Sequence, residues 1–284
     1  MPKTYVKQSG VWKDAKIFVK QSGVWKTVQN GYVKQAGVWK TFFINRFPIT
    51  ITIPASTANY TLNTAKVPGY VAGLTDLVVN INSGVVVYSN SVGSPAFFVD
   101  SSWASGDTIT INNSGVILGK GGNGGNASYP YVSNGTGGGL ALSVQRLIYL
   151  NNMNRIAGGG GGGGSGSFNA QGAPGGAGGG GIGLGSGGSG IYDAGAGGNG
   201  TLTTFGAGGV GGAAYVPPSE SSAGYYTYGG AGGAGGNYGS NGSNGLGGDS
   251  PWSNPGVGGG AGAAISGNSN IYWLAYGTRN GAIT

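Results

Sequence analysis

The chain has 284 residues, 38% of them hydrophobic and only 7% charged, with 14 basic against 7 acidic side chains and neither cysteine nor histidine. A disulfide framework and a thiolate nucleophile are excluded, and the commonest general base and transition-metal ligand is missing as well. No apolar run approaches the roughly 18 residues of a membrane span, and the low charge is unlike that of a highly charged disordered chain.

Residues 1–41 are a triplicate: YVKQSGVWK (Tyr5–Lys13), FVKQSGVWK (Phe18–Lys26) and YVKQAGVWK (Tyr32–Lys40). Two short β-prone runs flank Gln-Ser/Ala-Gly in each unit, which predicts a hairpin with glycine supplying positive φ. The net charge of +7 sits here, because eight lysines and a single acid, Asp14, precede residue 41 and the charges beyond it balance. A nucleic-acid patch is one reading of a basic head. The lysines recur at fixed positions between aromatics, however, as on the solvated face of small hairpins, and no nucleic-acid partner is expected. An isolated hairpin is marginal, so the units either form a meander or dock elsewhere. Threefold repetition suits a partner with three equivalent surfaces, such as the end of a trimer, with Trp12, Trp25 and Trp39 as attachment residues.

Residues 42–118 alternate apolar residues with Thr, Asn or Ser, as in "FPITITIP", "DLVVNINSGVVVYS" and "DTITINNSGVILG", and predict short strands of a β-rich stem. Only ten of the 68 glycines precede Gly119. Beyond it glycine dominates. Non-glycine residues there often recur at every third position, such as Lys120, Asn123 and Asn126 in "GKGGNGGN" or Ala231, Ala234 and Asn237 in "AGGAGGN". Period three belongs to neither helix nor strand but to polyproline II, whose amides point outward in three directions. Glycine on two faces admits neighbouring rods, and the run Gly158–Gly164, with glycine on all three, is expected at the buried centre. A flexible linker is the other reading of such runs; the aromatics between them count against it. The fold class expected is mostly irregular and β: N-terminal hairpins and a β region, followed over residues 119–284 by a bundle of about ten antiparallel polyglycine-II helices.

If successive rods alternate in direction, one end collects the segments 127–134, 165–171, 191–194, 214–228 and 250–255. These carry Tyr129, Tyr131, Phe168, Tyr192, Tyr215, Tyr225, Tyr226, Tyr228 and Trp252. Tyr, Ser, Gly and Asn on loops over a rigid scaffold is a recognition composition, so these residues are the expected binding surface. Tyr238, outside the set, is expected to cover the side of the bundle. No catalytic, cofactor or metal site is read. The match of Gly183–Gly188 to GxGxxG lacks its strand–turn–helix setting, Gly119-Lys120 is followed by glycine rather than Ser or Thr, and the acids are scattered singly. The protein is not expected to be an enzyme.

The ordered series of glycine runs and aromatic loops, opened by "GKGGNGGN" and centred on "AGGGGGGG", resembles the tail-fibre tip adhesins of T-even-type bacteriophages. The segment "INNSGVILGKGGNGG" and the ending "GAAISGNSNIYWLAYGTRNGAIT" are similar to glycine-rich phage tail proteins more widely. The resemblance covers roughly residues 108–284. It implies a polyglycine-II sandwich presenting about five variable loops to an outer-membrane protein, or a surface glycan, of a Gram-negative host. It also implies mounting on a trimeric tail-fibre protein at the distal tip of the virion fibre, with no membrane insertion. The N-terminal triplicate departs from the family's attachment region. Lacking a secretory apolar core, the chain is expected to be made in the host cytoplasm. The alternative from another class is a non-binding structural or assembly protein of the phage tail.

Overall fold

A computed structural model describes residues 5–8, 11–14, 18–28, 30–44, 46–128, 131–169, 171–217, 224–249 and 254–284 of the chain. The triplicate forms three separate antiparallel hairpins: β1 (Tyr5–Gln8) with β2 (Val11–Asp14), β3 (Phe18–Gln21) with β4 (Val24–Thr27), and β5 (Asn30–Gln35) with β6 (Val38–Ile44). In each, the same lysine is in backbone register with the same tryptophan: Lys7 with Trp12, Lys20 with Trp25, Lys34 with Trp39. Ser22-Gly23 and Ala36-Gly37 all have positive φ, the conformation of the two-residue turn whose twist matches a hairpin.

The alternating sequence of the stem winds into a three-sided coil of parallel strands. The first coil is β7 (Phe47–Ile53), β8 (Thr57–Ala58) and β9 (Tyr60–Leu62). The second is β10 (Thr75–Ile81), β11 (Val86–Tyr88) and β12 (Phe97–Val99), and the third β13 (Thr108–Asn113), β14 (Val116–Leu118) and β15 (Leu142–Val144). A separate antiparallel hairpin, β18 (Ala213–Val216) with β19 (Tyr225–Tyr228), lies far along the chain. The fourth coil is β16 (Ile148–Asn152), β17 (Arg155–Ala157) and β20 (Ile265–Ser266), and the fifth β21 (Ile271–Ala275) and β22 (Thr278–Asn280). Strands stack coil on coil into three sheets, ordered β7-β10-β13-β16-β21, β8-β11-β14-β17-β22 and β9-β12-β15-β20.

Period-two burial places one apolar row of every strand inside. Val79 lies opposite Ile51 and Ile111, and Ile111 opposite Leu150. These rows meet Val87, Ile117 and Ile156 of the second sheet and Leu62, Phe97, Leu142 and Val144 of the third in a single core. Each such side chain contributes about 1.5–3 kcal/mol by leaving water. Asn113 and Asn152 also face inward, and they are bonded along the coil axis: Asn113 Nδ2 donates to Asn152 Oδ1 at 2.8 Å, and Asn152 Nδ2 to the Tyr276 carbonyl at 2.7 Å. A buried amide without such partners would be destabilising.

The glycine-rich segments are two insertions at one corner of this coil, both between the second and third sheets: after β14 and after β17. The sheet ladders run straight into them. Gly119 N donates to the Ala157 carbonyl and Gly158 N to that of Asn280, both at 2.9 Å. Within the insertions the bonding repeats every third residue. Gly159, Gly162 and Ser165 donate to Gly139, Thr136 and Ser133; Gly160, Gly163 and Gly166 to Ile182, Gly179 and Gly176; Gly161, Gly164 and Ser167 to Ser240, Ser243 and Leu246. The carbonyls of the same segment accept from three further ones, through Gly122 and Gly125, through Gly230, Gly233 and Gly236, and through Gly256, Gly259 and Gly262. Residues 158–167 thus have six bonded neighbours and are buried throughout.

The expected bundle of about ten antiparallel polyglycine-II helices is overturned. The regular structure of the described residues is strand, mostly in parallel sheets, and the only helical elements are the two 3-10 turns Thr64–Lys66 and Asn268–Asn270. Apolar alternation in 142–157 and 265–280 returns the chain to the coil, because those rows complete the core. Nor are bonded neighbours all antiparallel. Segments 119–126 and 240–246 run parallel to 158–167, since three mutually adjacent rods cannot each oppose the other two.

The spacing leaves no room for side chains. A Cβ added at any glycine from Gly158 to Gly164 would come within 3.0 Å of a neighbouring carbonyl oxygen, that of Asn123 for Gly162. The obstructing atoms are backbone already bonded to others, so Gly162→Ala is expected to cost about 3 kcal/mol and to lower the unfolding midpoint by roughly 6–12 °C. Gly260→Ala, where nothing lies within 4 Å, is expected to leave the midpoint unchanged in the same calorimetric measurement.

Candidate recognition surface

The period-three bonds order the segments from the coil outward. Gly119, Gly158 and Gly183 are bonded next to the coil, through Ala157, Asn280 and Thr201, whereas Ala127 meets Ser189, Gly212 meets Pro174 and Gly230 meets Ser167 at the far end. The described residues of the connections, 128, 131–132, 168–169, 171–172, 191–194, 213–217, 224–228, 249 and 254–255, therefore share the end remote from the coil. The turns at 201–205 and at Tyr238 lie at the coil end.

Of the residues expected to bind, Tyr131, Tyr192, Tyr215, Tyr225, Tyr226 and Tyr228 are exposed at that far end. Phe168 is half-buried and engaged in a contact. Tyr129 and Trp252 lie outside the described residues. The structure brings Tyr215 and Tyr226 together as cross-strand partners, rings 5.2 Å apart. Tyr228 extends the same face of the hairpin, while Tyr225 and the buried Thr227 lie on the other. At the opposite end of the chain Trp25 and Trp39 are exposed, with Lys20 and Lys34 ammonium groups 5.9 Å from their rings. Trp12 occupies the equivalent position in β2.

Polar side chains within the protein hold this surface in place. Asp193 Oδ2 accepts the Ala213 N–H at 2.7 Å, and Asp249 Oδ2 accepts the Tyr228 N–H at 2.8 Å. Two carboxylates from two other connections thus grip the paired ends of the β18–β19 ladder, where Ala213 opposes Tyr228. Charge-assisted bonds of this kind are the stronger ones. Asparagines replace missing neighbours at the lattice periphery: Asn126 Oδ1 accepts Ser189 N at 3.0 Å, Asn134 Oδ1 Val257 N at 2.8 Å, Asn241 Oδ1 Ala261 N at 2.8 Å and Asn244 Oδ1 Gly258 N at 2.9 Å. An amide oxygen on a short stem reaches where no further rod supplies a carbonyl. The spacing of Asn123 and Asn126, and of Asn241 and Asn244, is the signal in the sequence that could have shown this. The β18–β19 hairpin was also missed, although "AYV" and "YYTY" are β-prone, because the intervening Pro-Pro-Ser reads as loop.

Polar anchors close the coil end. The Arg155 guanidinium lies 4.3 Å from the centre of the Tyr238 ring, whose hydroxyl donates to the Leu202 carbonyl at 3.1 Å. Lys120 Nζ donates to the Leu184 carbonyl, and burial lowers the pKa of this ammonium.

A stiff backbone lattice rooted in a β coil and ending in clamped, aromatic, largely uncharged connections defines a loop-presenting recognition protein. Residues 48–284 match the phage tail fibre adhesin Gp38 family, and the chain belongs to that family. It is a receptor-binding adhesin of a bacteriophage tail fibre. A chain in the crystal structure of the gp37-gp38 adhesin tip complex of the bacteriophage S16 long tail fiber is similar to it, with 27% identity, a TM-score of 0.54, and 84% of this chain and 82% of that one covered. No curated protein matches. The hairpin triplicate precedes the matched residues.

Removing either clamp is expected to loosen the aromatic hairpin without disturbing the lattice. In Asp193→Ala or Asp249→Ala the lost bond is worth about 1.5 kcal/mol. Hydrogen exchange should show protection falling roughly tenfold at Ala213 and Tyr228, with Gly158–Gly164 unaffected.

Proposed function

We propose that the chain recognises its host receptor, an outer-membrane protein or surface glycan of a Gram-negative bacterium, through the aromatic connections at the far end of the glycine lattice. The observation that carries this reading is the gathering of exposed tyrosines from separate connections at one end of a scaffold whose bonds are nearly all backbone to backbone. Tyrosine offers a large contact area for little lost side-chain freedom. A support that does not rearrange on binding limits the entropy lost in the complex. In this reading Tyr129, Tyr131, Phe168, Tyr192, Tyr215, Tyr225, Tyr226, Tyr228 and Trp252 form the contact set, and residues 119–284 the receptor-binding region.

The structural neighbour is a complex of two fibre proteins, which supports a tail-fibre partner for this chain. We place the attachment in residues 1–41, with Trp12, Trp25 and Trp39 as contacts and 42–118 as the stem. Three hairpins of identical Lys–Trp register, each two-stranded, with residues 18–26 of the second and 32–39 of the third exposed, suit the threefold end of a trimeric fibre protein. The protein then sits at the distal tip of the fibre.

Two outcomes follow. Tyr215→Ser combined with Tyr226→Ser is expected to slow virion adsorption to host cells at least tenfold while the unfolding midpoint stays within about 2 °C. A non-binding spacer of the tail would show no change in adsorption. Since the five connections contain no lysine or arginine, and the carboxylates of Asp193 and Asp249 are bonded to backbone N–H groups so that Glu220 is the one further charge, the adsorption rate should also change less than about threefold between 50 and 300 mM salt, in contrast to electrostatically steered association.

A further inference from the structure

Tyr192 stands out from the other exposed aromatics by its backbone. Residues Ile191 to Ala194 form a tight turn closed by Ala194 N donating to the Ile191 carbonyl at 2.9 Å. Tyr192 is its first central residue and has a φ of +48, while Asp193 is not among the positive-φ residues. A turn with positive φ at that position alone normally takes glycine. For a bulky residue the conformation is a genuine outlier, and strain at such a residue persists only where its surroundings over-determine it.

Here they do. Ile191 packs on the buried alanines Ala127, Ala177 and Ala194. Asp193 is tied to the Ala213 N–H. Both flanks of Tyr192 are thus fixed, one by apolar packing and one by a charged hydrogen bond. The tyrosine ring gains nothing from the fold, since the residue is 91% exposed, the most exposed of the large hydrophobic residues described. Folding alone would be better served by glycine at this position. Resting on the recognition reading above, we infer that Tyr192 is the specificity-determining anchor of the recognition surface, a preset knob that enters a concave, apolar-walled cleft on the receptor with a polar group for its phenol. The tyrosines of the hairpin bind around it as a flatter rim. Central, protruding aromatics held in their bound conformation are the usual energetic foci of interfaces.

The distinguishing property is opposite movement of stability and binding. Tyr192→Gly relieves the turn, and Tyr192→Asn keeps a residue that tolerates positive φ. In full-length protein, both are expected to leave the unfolding midpoint unchanged or raised by up to about 3 °C. Virions carrying either variant are expected to adsorb at least tenfold more slowly. A midpoint that falls in both variants overturns the inference, because the ring would then be serving the fold. Undiminished adsorption of both variants overturns it too. If adsorption is then still lost in the Tyr215→Ser, Tyr226→Ser double variant, recognition by the connections stands and only the anchor fails. If that variant also adsorbs normally, the recognition reading fails with it.

Discussion

The closest approach of two peptide backbones sets the terms for this protein. A carbonyl oxygen can receive an N–H from a neighbouring extended segment on each of several sides only if no Cβ stands between them. At Gly158–Gly164 every added Cβ would collide with a bonded carbonyl. Glycine therefore acts here as a packing unit. Its usual liability, the backbone freedom lost on ordering, is about 1–2 kcal/mol per residue. One hydrogen bond per residue, since each is shared between a donor and an acceptor, is worth about 0.5–1.5 kcal/mol net and is of the same order. Water is excluded from the interior as thoroughly as from a side-chain core.

Two kinds of interior thus share one body. The coil is held by apolar rows meeting between three sheets, and the lattice by backbone polar groups meeting in three directions. They join without a seam because the N–H of Gly119 and of Gly158 continue the ladder of the second sheet. Insertions at a single corner of the coil let the chain leave, traverse the lattice and return to an adjacent strand. The described residues of five connections consequently fall at one remote end, where most of them, unlike Ile191 and Ala194, have no packing duty inside the lattice.

That freedom is bounded by a small set of polar anchors. Asp193 and Asp249 fasten the tyrosine-bearing hairpin to its neighbours, and asparagines at the lattice edge supply the acceptors that a further segment would otherwise give. On the proposed reading, contact residues can change without altering the anchors and glycines. An adhesin needs this division, since its tip must match a receptor and its support must not move.

Much of this was legible in the residues themselves. Period-two alternation marked the strands of 42–118, and the unbroken glycines of 158–164 marked a buried site, because both follow from local spacing alone. The triplicate declared its hairpins through Gln-Ser/Ala-Gly turns, and the tyrosines of the connections were visible as an uncharged aromatic set. Other features depended on which segments lie side by side. Short strands in 142–157 and 265–280 close the coil across insertions of dozens of residues, and no local pattern states which strand a three-residue run will join. The mixture of parallel and antiparallel neighbours follows from packing rods in two dimensions, a constraint absent from a linear chain. Asp193 became a clamp and Tyr192 a strained knob only when the turn that contains both was fixed against Ala127, Ala177 and Ala213. Sequence by itself determined where side chains are forbidden and where aromatics are available. Tertiary structure decided which of them meet, because the order of the residues does not state which distant segment a hydrogen bond will reach.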